Sequence, residues 1–168
     1  MVLLGNIFSL LGSICSLIST RAKTYKNTLL IQTVDATLYT LSCLCLGGYS
    51  GVTINACAIV RNLSCVFLQL KNWMKVSFIL VTFILGVLFR DKEIYGWLPI
   101  VASTFYAIVM IVTQDIKKLK IGLIINNILW MLYEIVIFDF VGVVFKVIAL
   151  TSCTQSIIQM KGDNSDDI

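Results

Sequence analysis

Four charged side chains stand inside apolar segments of this 168-residue chain. A charge at the centre of a bilayer costs about 2.5–3.5 kcal/mol on insertion scales, so such groups must face a protein interior or a watery cavity. Two acid–base pairs can form among them, Asp35 with Arg61 and Glu134 with Lys146. Opposite charges that meet in a low-dielectric interior offset part of each other's desolvation. These pairs could therefore join helices, gate a path or bind a polar solute.

Uncharged polar and aromatic residues accompany the charges. Asp35 and Tyr39 share one helix face because they are four residues apart, and Asn55 and Asn62 share another because they are seven apart. A few polar groups on an aromatic-lined face are typical of a ligand site. The alternative is hydrogen-bond glue between membrane helices, worth about 0.6 kcal/mol on average. We predict one central substrate site that contains Asp35, Tyr39, Asn55, Asn62, Asn126, Trp130 and Lys146.

The depth of each charge follows from the rise of a helix, about 1.5 Å per residue. Asp35 and Arg61 both lie roughly 10–13 Å from the expected cytoplasmic ends of their helices. Glu134 and Lys146 both lie near the opposite side. We predict that the first pair forms an inner gate and the second an outer gate, with static helix–helix contacts as the alternative.

The residues that most enzymes and metal sites need are scarce. The chain has no His, which is the commonest general base and metal ligand. Its six Cys form no C-x-x-C spacing, so packing is favoured over redox or zinc chemistry. The net charge of +4 comes from small basic groups between apolar runs, which is not a nucleic-acid patch. We therefore expect no enzymatic activity, no cofactor, no metal and no nucleic-acid partner.

The elements that position these residues are predicted to be membrane helices. Hydrophobic residues make up 58% of the chain and charged residues 13%, against about 45–50% and 25% in soluble domains. A spanning helix needs about 17–25 predominantly apolar residues. Seven runs fit, at 2–20, 28–47, 51–70, 73–90, 97–114, 119–138 and 140–160. The glycines at 47, 48 and 51 are expected to serve a tight turn and close helix approach.

The basic residues are distributed unevenly across the two sides. Only Arg90 and Lys92 fall on one side, where Asp91 and Glu93 partly offset them. The positive-inside rule therefore predicts the amino terminus outside and the carboxyl terminus in the cytoplasm. Nine basic residues fall on the predicted cytoplasmic side: Arg21, Lys23, Lys26, Lys71, Lys75, Lys117, Lys118, Lys120 and Lys161.

An internal repeat appears when the chain is shifted by 91 residues. Gly51 then falls on Gly142, the basic clusters coincide, and Asn55 falls on Lys146. We predict an all-α membrane domain over 1–161: repeat one at 1–72, a linker helix at 73–90 and repeat two at 93–161. Residues 162–168 are expected to form a disordered acidic tail. The two three-helix repeats would be parallel, a known transporter arrangement with the site near mid-membrane.

The run from Leu30 to Leu63 resembles the YgjV-like bacterial inner-membrane proteins. The resemblance is carried by Gln32, Tyr39, Leu46, Gly47, Gly51, Asn55, Arg61 and Asn62. It implies a multi-pass protein of the bacterial cytoplasmic membrane and no particular substrate.

The helix layout is also similar to that of the SWEET and PnuC transporters, as an analogy of fold. The chain departs from the SWEET pattern because Pro99 is its only proline. We predict a carrier of a small polar solute that sits in the lipid bilayer, and we leave a homo-oligomer open. The alternative is a non-transporting assembly partner or regulator of another membrane complex.

Overall fold

The computed structural model describes residues 1–21, 25–68, 71–112 and 116–163. Helices are the only regular elements in these ranges, which agrees with the all-α prediction. Lys23, counted above for orientation, lies outside the described residues, and so do residues 164–168 of the expected tail. The described helices are α1 Val2–Arg21, α2 Tyr25–Leu46, α3 Tyr49–Phe67, α4 Asn72–Leu88, α5 Trp97–Val112, α6 Ile116–Val136 and α7 Phe140–Asp163, with a 3₁₀ turn at Ile94–Gly96.

The helices differ in how clearly they are built to span a bilayer. By length and composition, α1, α2 and α3 qualify among the described residues. Shorter apolar stretches lie at Trp73–Leu88, Ile94–Val109 and Phe140–Gln155. The helix α6 carries three lysines near its start and Glu134 near its end, which lowers its mean hydropathy. The helix α7 extends through Asp163, so Gly162 and Asp163 are helical rather than part of a disordered tail.

Six of the helices form a ring. Sequential neighbours pack together in two groups, α1–α2–α3 and α5–α6–α7. The groups meet through α3 against α5 and through α7 against α1, while α4 lies outside the ring against α3 and α5. A buried apolar cluster that includes Ile54, Ile100 and Trp130 fills the ring toward one end.

At that end, α2 and α6 terminate in the same way. Gly47 has φ 79°, and the N–H of Gly48 donates to the Cys43 carbonyl at 2.9 Å. Phe138 has φ 61°, and the N–H of Asp139 donates to the Glu134 carbonyl at 2.9 Å. Both are Schellman-type helix ends. The three connections at this end (47–48, 89–96 and 137–139) define what we call the capped end of the bundle.

Two helices that begin at the capped end, α3 and α7, receive carboxylate caps. Asp91 accepts the N–H groups of Tyr49 at 2.8 Å and Ser50 at 3.2 Å, and it also accepts the Tyr133 hydroxyl at 3.0 Å. Asp139 accepts the N–H of Gly142 at 2.9 Å. Free N–H groups in the first turn of a helix favour an anionic acceptor. The caps therefore fix the starts of α3 and α7 against α6.

Candidate functional site

A cavity of about 200 Å³ lies inside the ring. Each of the seven described helices contributes to its wall, and α4 does so through Thr82. Sequence reasoning did not single out Ser103 and Tyr106 of α5, which also line it. The cavity wall includes every residue predicted for the site or for the charge pairs: Asp35, Tyr39, Asn55, Arg61, Asn62, Asn126, Trp130, Glu134 and Lys146. That these residues bind a substrate stays a prediction.

A lysine on α7 forms the electrostatic centre of the cavity. The Lys146 Nζ lies 3.5 Å from Glu134 Oε1, and the two side chains are 15% and 2% exposed. The same ammonium lies 4.7 Å from the centroid of the Tyr39 ring, which is a cation–π distance. The Tyr39 hydroxyl is 2.7 Å from Ser13 Oγ, so α1 fixes the ring from behind. Lys146 thus joins α2, α6 and α7 at one point.

Asp35 lies within electrostatic range of this lysine. Its carboxyl has Ser16 as a side-chain hydrogen-bond partner, and the charge that acts most strongly on it is Lys146. Its Oδ1 is shielded from solvent and has no hydrogen-bond partner. Gly12 of α1 leaves room for two side chains of α2, because a Cβ on Gly12 would lie 3.0 Å from the Tyr39 ring and 3.4 Å from Asp35 Oδ1. The predicted pairing of Asp35 with Arg61 is not among the ion pairs of the described residues.

Arg61 lies toward the other end of the cavity. It is twelve residues into α3, whereas Lys146 is six residues into α7, so their depths differ by about 9 Å. The guanidinium donates to Asn62 Oδ1 at 3.3–3.4 Å from two of its nitrogens. It also acts electrostatically on Tyr106 across the cavity wall. By helix rise, the charged groups of the cavity therefore lie at two depths, with Asp35 and Arg61 farther from the capped end and Glu134 and Lys146 nearer to it.

Amide and aromatic groups lie between these ends. Asn62 and Asn127 are buried, and Asn55 Nδ2 is shielded from solvent without a hydrogen-bond partner. Trp130 is 8% exposed and packs edge-on against Tyr133, with ring centroids 5.9 Å apart. Amides can both donate and accept, and flat rings offer faces for stacking. Such a wall suits a small solute that carries both polar and planar groups.

Sequence reasoning missed the carboxylates of the capped end. Asp91 and Asp139 lie in connections between helices, where acidic residues are expected to be exposed. Their side chains are buried instead, at 7% and 1% exposure. Burial raises the pKa of the Asp139 carboxyl, and the hydrogen bond from Gly142 partly opposes this. Asp139 follows a helix by three residues and precedes another directly, and that position was the available signal for a cap.

The described residues were also compared with the needs of a metal site. Within the described ranges, no group of three or more His, Cys, Asp or Glu is arranged to hold a metal ion. The cavity wall offers amides, hydroxyls, rings and charged groups, which are the kinds of group that line ligand sites.

Comparison with known proteins gives one match. A family model described as a bacterial inner membrane protein, Imp-YgjV, matches residues 3–164. The matched segment reaches from α1 to α7 and contains every residue of the cavity. No curated protein and no solved structure matches the chain.

Proposed function

This chain belongs to the Imp-YgjV family of bacterial inner membrane proteins, and from that premise we propose that it carries a small polar solute across that membrane. All seven helices are taken to cross the bilayer, with the solute bound in the central cavity. The carrier acts by binding and release, and no covalent step is part of the proposal.

The observation that carries the proposal is the cavity with charged groups at two depths. It holds about 200 Å³, and four charged groups on its wall lie at two depths. Charged side chains inside a membrane bundle are costly and commonly mark solute or ion paths. The pairing of Lys146 with Glu134 at 3.5 Å places a breakable contact near the capped end. A gate that opens there while the Arg61 end stays closed would fit alternating access.

The 91-residue repeat is part of the proposal, and the helix contacts support it. The contact of α3 with α5 corresponds to that of α7 with α1 under this shift. Gly47 and Phe138 are 91 residues apart and both have positive φ. The same spacing relates Gly51 to Gly142 and Cys43 to Glu134. A Cβ added to Gly51 would lie 2.6 Å from Cys43 Sγ, and a Cβ added to Gly142 would lie 2.9 Å from Glu134 Cδ. A parallel pair of three-helix units of the SWEET or PnuC kind would generate these correspondences.

The proposed orientation places the capped end outside and the carboxyl terminus in the cytoplasm. The support is the excess of lysine and arginine at the opposite end of the bundle, where the loops after α1, α3 and α5 lie. The Glu134–Lys146 contact then lies on the outer side and Arg61 on the inner side.

The test is an unbiased uptake assay. Proteoliposomes with the wild-type protein, the Asn55→Ala/Asn126→Ala variant or no protein are incubated with a metabolite extract of bacterial cells. They are washed, and their contents are measured by mass spectrometry. A carrier accumulates at least one polar metabolite in wild-type vesicles and little of it in the other two. Equal contents in all three would refute carriage and favour the assembly-partner function, to be examined by co-purification.

A further inference from the structure

Four buried side chains meet behind the cavity wall, at the capped end. Ser9 of α1, Ser42 of α2, Glu134 of α6 and Asp139 of the α6–α7 turn are each 0–1% exposed. We call them the oxygen cluster. Only Glu134 also lines the cavity, while the other three lie outside its wall. None of those three was among the site residues predicted from the sequence.

The two carboxyl groups converge on Gly142. A Cβ placed on Gly142 would lie 2.8 Å from Asp139 Oδ2 and 2.9 Å from Glu134 Cδ. Gly142 therefore leaves space for both groups, and an alanine there would collide with both. The Ser9 and Ser42 hydroxyls approach the Asp139 carboxyl from α1 and α2 closely enough to interact with it.

Several oxygens of the cluster lack a well-aligned hydrogen-bond partner. Ser9 Oγ, Ser42 Oγ, Asp139 Oδ2 and Glu134 Oε2 are shielded from solvent and have no hydrogen-bond partner of good geometry, although both hydroxyls lie close to the Asp139 carboxyl. Glu134 Oε1 is shielded as well, and it is ion-paired with Lys146. Asp139 Oδ1 alone is satisfied, by the N–H of Gly142. Buried polar atoms are nearly always paired, and an orphaned set calls for an explanation such as an ion. The four such atoms in this cluster are all oxygens, which are the ligands of hard cations.

The charges of the cluster select the kind of cation. Glu134 and Asp139 bring two negative charges, and Lys146 brings one positive charge from the cavity side. Because Asp35 also acts on Lys146, these groups keep a net negative charge that a bound cation would offset. Two of the four proposed ligands are neutral hydroxyls, which suits a monovalent ion better than a divalent one. The carbonyl end of α6 also lies here, and such helix ends coordinate Na⁺ in transporters with interrupted helices.

We propose that the oxygen cluster is a Na⁺ site whose ligands are Ser9 Oγ, Ser42 Oγ, Asp139 Oδ2 and a Glu134 carboxylate oxygen. Glu134 is shared with the cavity, where it contacts Lys146. An ion bound to the Glu134 carboxylate weakens the ion pair between Glu134 and Lys146. Ion binding and solute binding are coupled in this way. That coupling rests on the proposed carriage, whereas the ion site itself does not.

The test measures ion binding without any solute. Purified protein in detergent is heated in NaCl, KCl or choline chloride at constant ionic strength and constant pH. Na⁺ should raise the melting temperature in a saturable way, by about 5 °C at a hundredfold excess over half-saturation. K⁺ and choline should not. The Ser9→Ala/Ser42→Ala variant should keep the melting temperature measured in choline and lose most of the rise with Na⁺.

Ser13→Ala is the matched control. Ser13 is a buried serine on α1, one turn beyond Ser9, and its hydroxyl contacts Tyr39 rather than Asp139. This variant should retain the Na⁺ response. Equal melting temperatures of the wild type in the three salts would overturn the proposal. So would a Na⁺ response that survives in the Ser9→Ala/Ser42→Ala variant.

A pH comparison and a direct binding measurement distinguish a Na⁺ site from a proton site. Acidification that stabilises the protein equally in Na⁺ and in choline, with no added effect of Na⁺, would identify a proton site and refute a Na⁺ site. If the double variant does not fold, radioactive ²²Na⁺ binding to the wild type decides, and displacement by Na⁺ but not by K⁺ is expected. Na⁺ binding without solute uptake would keep this inference and reject the proposed carriage.

Discussion

Lys146 and Glu134 form a close ion pair inside the helix ring, with 3.5 Å between Nζ and Oε1. The pair joins α7 to α6 beside the turn that connects them, and the ammonium also lies over the Tyr39 ring of α2. Three helices therefore depend on one cation. The same carboxylate belongs to the oxygen cluster, so this contact connects the cavity with the capped end.

Breaking this pair from one side should destabilise the protein more than removing both partners. Glu134→Gln or Lys146→Met alone leaves a buried charge without its partner, which costs about 3–5 kcal/mol. The Glu134→Gln/Lys146→Met variant should cost clearly less than the sum of the two. The measurement is reversible unfolding in mixed micelles, with Lys92→Met as an exposed control that should shift the free energy of unfolding by about 0.5 kcal/mol at most. Additive single effects would contradict the coupling.

The apolar runs predicted where the seven described helices lie, because a long apolar run favours a helix. By length and composition, three of these helices qualify as membrane spans. The expected runs and the observed helices α1–α7 differ by a few residues at their ends. The positive φ of Phe138 could not be predicted from its residue type, because phenylalanine rarely adopts a positive φ. Only the alignment with Gly47 at a distance of 91 residues could have indicated it.

The same reasoning predicted which polar residues face inward but not which of them touch. Depth along a helix gives one coordinate, and the rotation of neighbouring helices supplies the others. Asp35 and Arg61 share a level by helix rise, yet Asp35 contacts Ser16 of α1 and faces Lys146 of α7. Asp139 was missed because its role depends on α1 and α2, which are remote in sequence.

Asp91 should matter for stability although it lies in a loop. It accepts two N–H groups at the start of α3 and the Tyr133 hydroxyl. Asp91→Ala should lower the free energy of unfolding by about 1–3 kcal/mol, because a lost cap leaves buried donors unpaired. Glu93→Ala, an exposed change in the same loop, is the control. A double-mutant cycle with Tyr133→Phe should give a non-zero coupling energy, and equal stability of Asp91→Ala and Glu93→Ala would contradict the capping role.

Reporter fusions should place the capped end outside the cell. Alkaline phosphatase fused after Glu93 should be active, because that loop would face the periplasm, and the same enzyme fused after Lys71 should be inactive. Green fluorescent protein at the carboxyl terminus should fluoresce, since it folds in the cytoplasm. The reverse pattern would invert the orientation and exchange the inner and outer roles of Arg61 and Glu134.

Asn55 and Asn126 should contribute directly to solute binding. Both amides line the cavity between its charged ends, and Asn55 Nδ2 has no protein partner. Loss of one hydrogen bond to a buried polar group costs about 1–3 kcal/mol. Asn55→Ala and Asn126→Ala should therefore each weaken binding of the accumulated metabolite about tenfold or more. The measurement is isothermal titration of that metabolite into purified protein.

Asn27→Ala is the matched control for these two variants, because Asn27 is exposed on α2 and lies outside the cavity wall. Its affinity for the metabolite should equal that of the wild type. The two cavity variants should also keep the melting temperature of the ligand-free protein within a few degrees, since an orphaned amide adds little to the fold. A large loss of stability with unchanged affinity would assign both amides to helix packing. Unchanged affinity in both variants at unchanged stability would remove them from the site, and with them the central part of the proposed path between Lys146 and Arg61.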